Sequence, residues 1–588
     1  MTIASKLALR YRRLFTLALG VALLPPMVGL TQNRPAPEAW SGRTEREAVR
    51  TQKYMAVSAN PLASEAGREI LRRGGSAVDA AIAVQMVLGL VEPQSSGIGG
   101  GAFLVYYDAK TKEIHTYDGR EMAPAAAKPD RFLGKDGKPL QFYEAVVGGK
   151  SVGVPGTLRM LEMAHKNYGK LPWSQVFQPA IRVAEQGFRI SPRLHALLSK
   201  EPFLPRIEPT RSYFYQPDGK PKPVGTKLVN QPYAEVLRQI ARRGADAFYK
   251  GEIARDIVGT VTKAAVSGDL TTADLAGYQA KERKPVCGVY RVYKVCGMGP
   301  PTSGGLTVLQ ILGILEKFNL AALKPDSVEA VHLFSEAGRL AYADRGLYIA
   351  DADFVPVPME ELIDPEYLQR RAALIDPKRS MGEAKPGELS SQQAHNWGQD
   401  DSRELPSTSH LAIVDGLGNA VSMTSSIEDA FGSRLMVRGF LLNNELTDFS
   451  FSPTVDGKLV ANRVEPGKRP RSSMAPMMVF DRNGKLVMVV GSAGGSRIIN
   501  YVAKALVGVL DWKLDSQQAL SLPNFGSLNG PTELEADTKI AQLKPALEAM
   551  GHSVQVVVQT SGLQAIVLSD KGLVGGADPR REGAALGK

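Results

Sequence analysis

Ser407-Thr408-Ser409-His410-Leu411-Ala412-Ile413-Val414 reads as a loop running into a strand, with a hydroxyl residue at the junction. Asp415 to Asn419 forms a Gly-containing turn, and Ala420-Val421-Ser422-Met423-Thr424 forms the returning strand. With Leu417 at the tip, Val414 faces Ala420 and Thr408 faces Ser426. Directly opposed residues hold their Cβ atoms roughly 4.5–5.5 Å apart, so a second hydroxyl stands beside Thr408. A threonine made into a chain N-terminus there has a hydroxyl to attack with, a free amine as base and a supporting hydroxyl. The same pattern also describes a polar hairpin at a sheet edge, so other segments must decide.

Two later segments bear on that choice. Leu486-Val487-Met488-Val489-Val490 is a short apolar run and reads as a buried strand. It stops at Gly491-Ser492-Ala493-Gly494-Gly495-Ser496-Arg497, after which Ile498, Tyr501, Val502, Ala505, Leu506 and Val509 repeat with helical spacing. A strand, a Gly-rich turn and a helix start present free backbone N–H groups, which suit a phosphate or a developing oxyanion. No Lys follows the glycines as in a phosphate-binding loop, so the oxyanion is the better match. In Lys468-Arg469-Pro470-Arg471-Ser472-Ser473-Met474-Ala475-Pro476 the paired serines can donate to a carboxylate.

The elements that must position these groups are spread over 588 residues, more than one core of ~250–300 residues usually holds. Hydrophobic content of 44% belongs to a globular chain, and 58 Gly with 38 Pro points to many tight turns. Lys6, Arg10, Arg12 and Arg13 precede the apolar run Leu14–Leu24, which Pro25-Pro26 ends. That run is short of the ~20 residues a membrane span needs, so 1–30 is expected to be an export signal and 31–50 a disordered leader. The protein is therefore expected to be periplasmic or secreted, with no stable membrane span once the signal is removed. The net charge of +11 is spread along the chain, which does not favour nucleic acid.

Helical periodicity covers Met55–Val91, parts of 157–290 and Ser327–Ala343; Ala102–Tyr107 is a strand, and 408–588 is strand-rich. Residues 377–407 are polar and read as a mobile loop ending before Thr408. The two cysteines, Cys287 and Cys296, face each other in a hairpin turning at Arg291-Val292, a register that allows a disulfide in an exported protein. The seven histidines are scattered and no zinc spacing occurs, so no metal and no cofactor is expected.

Taken together, Thr408-Ser409-His410, Leu442-Asn443-Asn444-Glu445-Leu446-Thr447-Asp448-Phe449-Ser450, Arg469-Pro470-Arg471-Ser472-Ser473-Met474 and Gly491–Arg497 resemble the γ-glutamyltranspeptidase family. Asn60–Glu65, Gly74–Ala81, Gly99–Phe103, Arg120–Pro124 and Pro300–Gly305 resemble it too, in the same order, from about residue 52 onward. The resemblance implies an α/β body of N-terminal nucleophile hydrolase type. This is a four-layer αββα sandwich with two antiparallel sheets between helix layers. It also implies self-cleavage between Ser407 and Thr408 into a large subunit (51–407) and a small one (408–588), which stay together as a heterodimer. By the same resemblance, Thr408 is the nucleophile, Ser426 its supporting hydroxyl, and Gly494 and Gly495 the oxyanion hole. Arg120, Ser472 and Ser473 take the donor carboxylate; Glu445 and Asp448 take its ammonium. The substrate is a small γ-glutamyl amide, and water, an amino acid or a peptide is the acceptor.

Two positions depart from the family pattern. Ser426 replaces a usual Thr, and Glu428 replaces a common Asn, which adds a carboxylate beside the ammonium site. The loop between Ser450 and Lys468 has no Tyr, so it lacks the aromatic lid of some members, and hydrolysis is expected to matter at least as much as transfer. Glu428 also keeps open an acylase of the same fold, acting on glutaryl, cephalosporin-type or poly-γ-glutamyl amides. Gly149-Lys150-Ser151-Val152-Gly153 matches the elbow of a serine α/β-hydrolase, but Pro155-Gly156 interrupts the helix that should follow. Gly97–Ala102 leads into a strand where a dinucleotide fingerprint needs a helix. A last reading is an exported binding protein without turnover, against which the retained nucleophile and carboxylate-binding positions argue.

Overall fold

The computed structural model describes residues 42–390, 396–400, 402, 404–405 and 407–588. The expected export signal, and the leader as far as residue 41, lie outside the described residues.

The strands that matter are β1 (Val49–Thr51), β2 (Met55–Ser58), β3 (Gly101–Asp108), β4 (Glu113–Gly119), β5 (Lys281–Arg283), β6 (Val286–Tyr290) and β7 (Tyr293–Gly297). They are followed by β8 (Thr408–Val414), β9 (Ala420–Ser426), β10 (Met477–Phe480), β11 (Leu486–Gly491), β12 (Gln564–Ser569), β13 (Gly572–Ala577) and β14 (Ala584–Gly587). Two seven-stranded sheets result, one ordered β14-β2-β8-β9-β3-β4-β5 and the other β1-β13-β12-β11-β10-β7-β6. Every neighbouring pair is antiparallel. Each sheet mixes strands from before and after residue 408.

Strand alternation builds the layers. Ala56, Leu104, Leu411 and Ile413 point to helices α1 (Pro61–Arg72) and α2 (Ala77–Val91) and share their apolar core. Their neighbours Val57, Val105, Ala412 and Val414 point the other way, into a core shared with the second sheet. The Ser422 hydroxyl donates across the gap to the Val490 carbonyl at 3.0 Å. Helices α3 (Gly304–Leu315), α4 (Val328–Tyr348) and α5 (Ile498–Leu510) belong to that second core and complete the αββα sandwich.

The β8–β9 hairpin has the expected register, with Val414 opposite Ala420 and Thr408 opposite Ser426. Asp415 holds its turn, its Oδ1 accepting from the N–H groups of Leu417 (2.9 Å) and Asn419 (3.1 Å). Cys287 likewise faces Cys296 across β6 and β7, and their sulfurs are bonded.

Three expectations change. Met55–Ser58 is a strand rather than the start of a helix; it is buried on both faces, so its sequence shows no alternation. The described end of the leader is ordered: the Thr44 N–H donates to the Pro579 carbonyl at 2.8 Å, and β1 pairs with β13. Sheet pairing supplies the order that composition alone lacks. Finally, described parts of 377–407 are anchored rather than loose. The Met381 N–H donates to Glu336 at 2.8 Å, and the Gly387 N–H to Asp344 at 2.8 Å.

Candidate active site

Thr408 opens β8, and the peptide bond before it is intact. The Ser426 hydroxyl donates to the Ser407 carbonyl, the group that must be attacked to cut this bond, at 3.0 Å. The Glu428 N–H donates in turn to Ser426 Oγ at 2.8 Å, which fixes the direction of the hydroxyl. Ser407 Oγ donates to the Gln94 carbonyl, and Arg581 donates to the Thr408 carbonyl at 2.8 Å.

His410, two residues on, does not serve the site. It points between the sheets, its Nδ1 2.9 Å from Thr424 Oγ1, and burial pushes its pKa down to about 3. Among the described residues no histidine lines the cavity around Thr408.

β11 ends at Gly491, and Gly494 and Gly495 turn the chain into α5. Gly495 has a φ of +58°, and a Cβ there would lie 2.7 Å from the Glu404 carbonyl oxygen. The chain upstream of Ser407 thus crosses directly over the glycine turn, and the Ser496 N–H donates to the same carbonyl at 3.4 Å.

Arg120 follows β4 and is buried. Its Nε donates to the Pro470 carbonyl at 3.0 Å, and one NH donates to the Arg471 carbonyl at 2.9 Å. It also pairs with Asp448 at 2.5 Å and with Glu445, both on a buried 3-10 turn. This qualifies the sequence assignment: the two carboxylates expected to take an ammonium are here bonded to the guanidinium expected to take a carboxylate. Ser472 Oγ accepts from the Met474 N–H at 3.1 Å, and Ser473 Oγ accepts from Arg345 at 2.8 Å.

Arg120, Thr408, Ser426, Glu428, Glu445, Asp448, Ser472, Ser473 and Gly495 all line one cavity, with Leu405 from the upstream chain; Gly494 is not among the lining residues. The cavity holds about 20 Å³, room for roughly one water. A glutamyl group cannot enter while the upstream chain stays in place.

Sequence reasoning missed the residues that hold this chain down. Arg345 Nε donates to Ser303 Oγ at 2.8 Å, and an NH of the same side chain pairs with Glu404. The Leu405 N–H donates to Glu428 Oε1 at 3.2 Å. Pro300–Gly305 and the helical stretch Ser327–Ala343, which stops just short of Arg345, stood out in the sequence, but nothing local in either points to a partner more than 40 residues away.

Burial, reinforced by the charges of Asp448 and Asp429, holds the Glu428 carboxyl well above the usual carboxylate range. The folded chain keeps a proton there that the unfolded chain releases above pH ~4.3. That stability is complete below the unfolded pKa and is lost as pH rises toward the folded one. The uncut chain, held as Thr408→Ala, should therefore melt at lower temperature as pH goes from 5 to 8. Adding Glu428→Gln should flatten that slope in thermal scans.

Ser151 is not among the residues that line the cavity around Thr408. It is buried in a 3-10 turn and donates to the Val146 carbonyl at 2.6 Å. The nearest approach to a metal-ligand set among the described residues is His332, Glu336 and His552. His332 Nδ1 lies 2.7 Å from His552 Nε2 and Arg339 donates to Glu336 at 2.9 Å, so these atoms are already engaged. Between Ser450 and Lys468 there is only a small hairpin, Thr454–Val455 with Lys458–Leu459.

Two antiparallel sheets between helix layers, with a hydroxyl residue heading an inner strand beside a glycine turn, define the N-terminal nucleophile hydrolase class. Within it, a family model described as Gamma-glutamyltranspeptidase matches residues 63–588, and the chain belongs to that family. It is 37% identical over 544 residues to a glutathione hydrolase proenzyme of Bacillus subtilis (strain 168), covering 91% of each chain. It is 34% identical to an Acylase ACY 1 proenzyme of Pseudomonas sp. (strain SE83), covering 92% of this chain and 95% of the relative. A crystal structure of cephalosporin acylase from Bacillus halodurans superposes with a TM-score of 0.81 at 28% identity, over 93% of this chain and 98% of that one.

Proposed function

We propose that the chain is the precursor of a γ-glutamyl hydrolase and transferase that activates itself by cutting between Ser407 and Thr408. Thr408 Oγ attacks the Ser407 carbonyl carbon. The C–N bond breaks, an ester forms, and the proton from Oγ ends on the new amine. Water then hydrolyses the ester, leaving a carboxylate on Ser407 and a free hydroxyl and amine on Thr408. The observation that carries this reading is the Ser426 hydroxyl, placed 3.0 Å from the Ser407 carbonyl oxygen, where negative charge develops during attack. Departure of residues 404–407 then opens the cavity and uncovers the glycine turn.

In the mature heterodimer Thr408 Oγ attacks the γ-carbonyl of a γ-glutamyl amide such as glutathione. The α-amine of Thr408, with a pKa of ~7.7–8.0, takes the proton and passes it to the leaving amine. The N–H groups at Gly494 and Gly495 receive the oxyanion. Arg120, Ser472 and Ser473 face the α-carboxylate; Glu445, Asp448 and Glu428 face the α-ammonium. Water, an amino acid or a peptide resolves the acyl-enzyme. Export to the periplasm or beyond suits the basic and apolar N-terminus, and the Cys287–Cys296 bond suits an oxidising compartment. Among the described residues no helix is long and apolar enough to cross a membrane.

Glu428 favours a second reading, an acylase that takes glutaryl or related amides: a carboxyl that stays neutral has no need of an ammonium. Turnover of γ-glutamyl, glutaryl and α-linked glutamate anilides by the cut enzyme separates the two. A γ-glutamyl preference of tenfold or more supports the first; equal or better glutaryl turnover replaces it with the second.

A further inference from the structure

Three carboxyls, Glu121, Glu445 and Asp448, surround one buried guanidinium, Arg120, and two of them have roles above. Glu121 has none. It is fully buried directly after Arg120, with Oε2 3.8 Å from the Arg120 guanidinium. Among the described residues no donor reaches either of its oxygens, nor the Oε2 of Glu445. Glycine makes room for it: a Cβ on Gly101 in β3 would lie 2.1 Å from Glu121 Oε2. A buried carboxylate with no donor is costly, and two such oxygens on adjacent acids call for a shared proton.

We propose that Glu121 is a positioning residue, a carboxylic acid that keeps its proton and donates it to Glu445, so that Glu445 meets Arg120, and later the substrate ammonium, as an oriented anion. The groups facing Glu121 agree with this. Burial and the Glu445 charge favour its neutral form, outweighing Arg120. The other titratable neighbours, Tyr249 and Tyr278, are buried phenols raised by burial and carry no charge. A proton on Glu121 leaves two acids, Glu445 and Asp448, opposite Arg120, in place of three carboxylates around one cation.

The ammonium-binding part of this inference rests on the proposed function; the proton on Glu121 does not. The first test therefore uses the uncut Thr408→Ala chain and needs no turnover. Its infrared spectrum at pH 7, minus that of the same chain with Glu121→Gln, should contain a protonated-carboxyl carbonyl band, the Glu428 band cancelling in the difference. A difference spectrum without that band overturns the inference whatever the enzyme does. The second test uses the cut enzyme and a γ-glutamyl anilide. Glu121→Ala should raise KM by roughly 10- to 100-fold with kcat changed far less, as loss of a hydrogen bond to a charged group predicts. Glu121→Gln, which still donates, should recover most of that affinity, and its KM should lack the alkaline rise that deprotonation of Glu121 causes in the parent. A Gln variant as impaired as the Ala variant, with the same pH profile as the parent, also overturns it. A parent enzyme that ignores γ-glutamyl amides altogether would sink the proposed function and leave the infrared result standing.

Discussion

Thr408→Ala should run on a denaturing gel as one uncut band and show no measurable turnover, a loss of about 10⁴-fold or more. Two independent consequences meet in this variant. Without the hydroxyl nothing attacks the Ser407 carbonyl, so the upstream chain stays across the cavity. Without the cut there is no α-amine, and among the described residues no histidine stands in for it: His410 is neutral and points between the sheets, and none lines the cavity. Thr408→Ser should separate the two. It keeps an attacking hydroxyl and should still cut, more slowly, because it lacks the methyl group that restricts the rotamer. Intact mass spectrometry checks both variants, with the parent yielding a fragment that begins at Thr408. A single uncut chain with full activity would contradict the mechanism at its first step.

Much of this site was legible because its parts are local. The β8–β9 register follows from an Asp-Gly-Leu-Gly-Asn turn between alternating strands, and it places Ser426 beside Thr408 with no tertiary information. The glycine turn before α5 was readable in the same way. What was not legible depends on chain segments far apart in sequence. Arg345 meets Ser473 from 128 residues away, and Arg120 meets Glu445 from 325. Neither approach leaves a local periodicity. β2 was misread for a different reason: Met-Ala-Val-Ser is buried on both faces, and the period-2 signal exists only when one face is wet. The individual roles of Arg120, Glu445 and Asp448 could be assigned from resemblance, but their bonding to one another before any substrate arrives could not.

That internal bonding sets the expectation for Arg120. Its guanidinium serves four acceptors at once: two backbone carbonyls and the carboxyls of Glu445 and Asp448. Arg120→Ala leaves those acids buried without their cation, a change that typically costs ~3–5 kcal/mol, so the variant should fold poorly and melt well below the parent. Arg120→Lys keeps the charge but offers one compact donor group in place of a planar fork. It should still cut itself, because Thr408 and Ser426 are untouched, yet bind γ-glutamyl donors roughly 100-fold more weakly, the scale of ~3 kcal/mol for a bidentate charged contact. Steady-state KM on the cut enzyme, beside a gel showing both fragments, checks this. The same geometry explains why a zwitterion is the fitting ligand. A donor that brings both a carboxylate and an ammonium can break the Arg120 pairs and give each partner a new one. A glutaryl group brings only the carboxylate; it would leave the two acids without a cation unless Asp448, whose carboxyl burial holds well above the usual carboxylate range, takes up a proton. Discrimination between the two substrates should therefore narrow as pH falls, and a preference independent of pH would show that Glu445 and Asp448 do not read the ammonium.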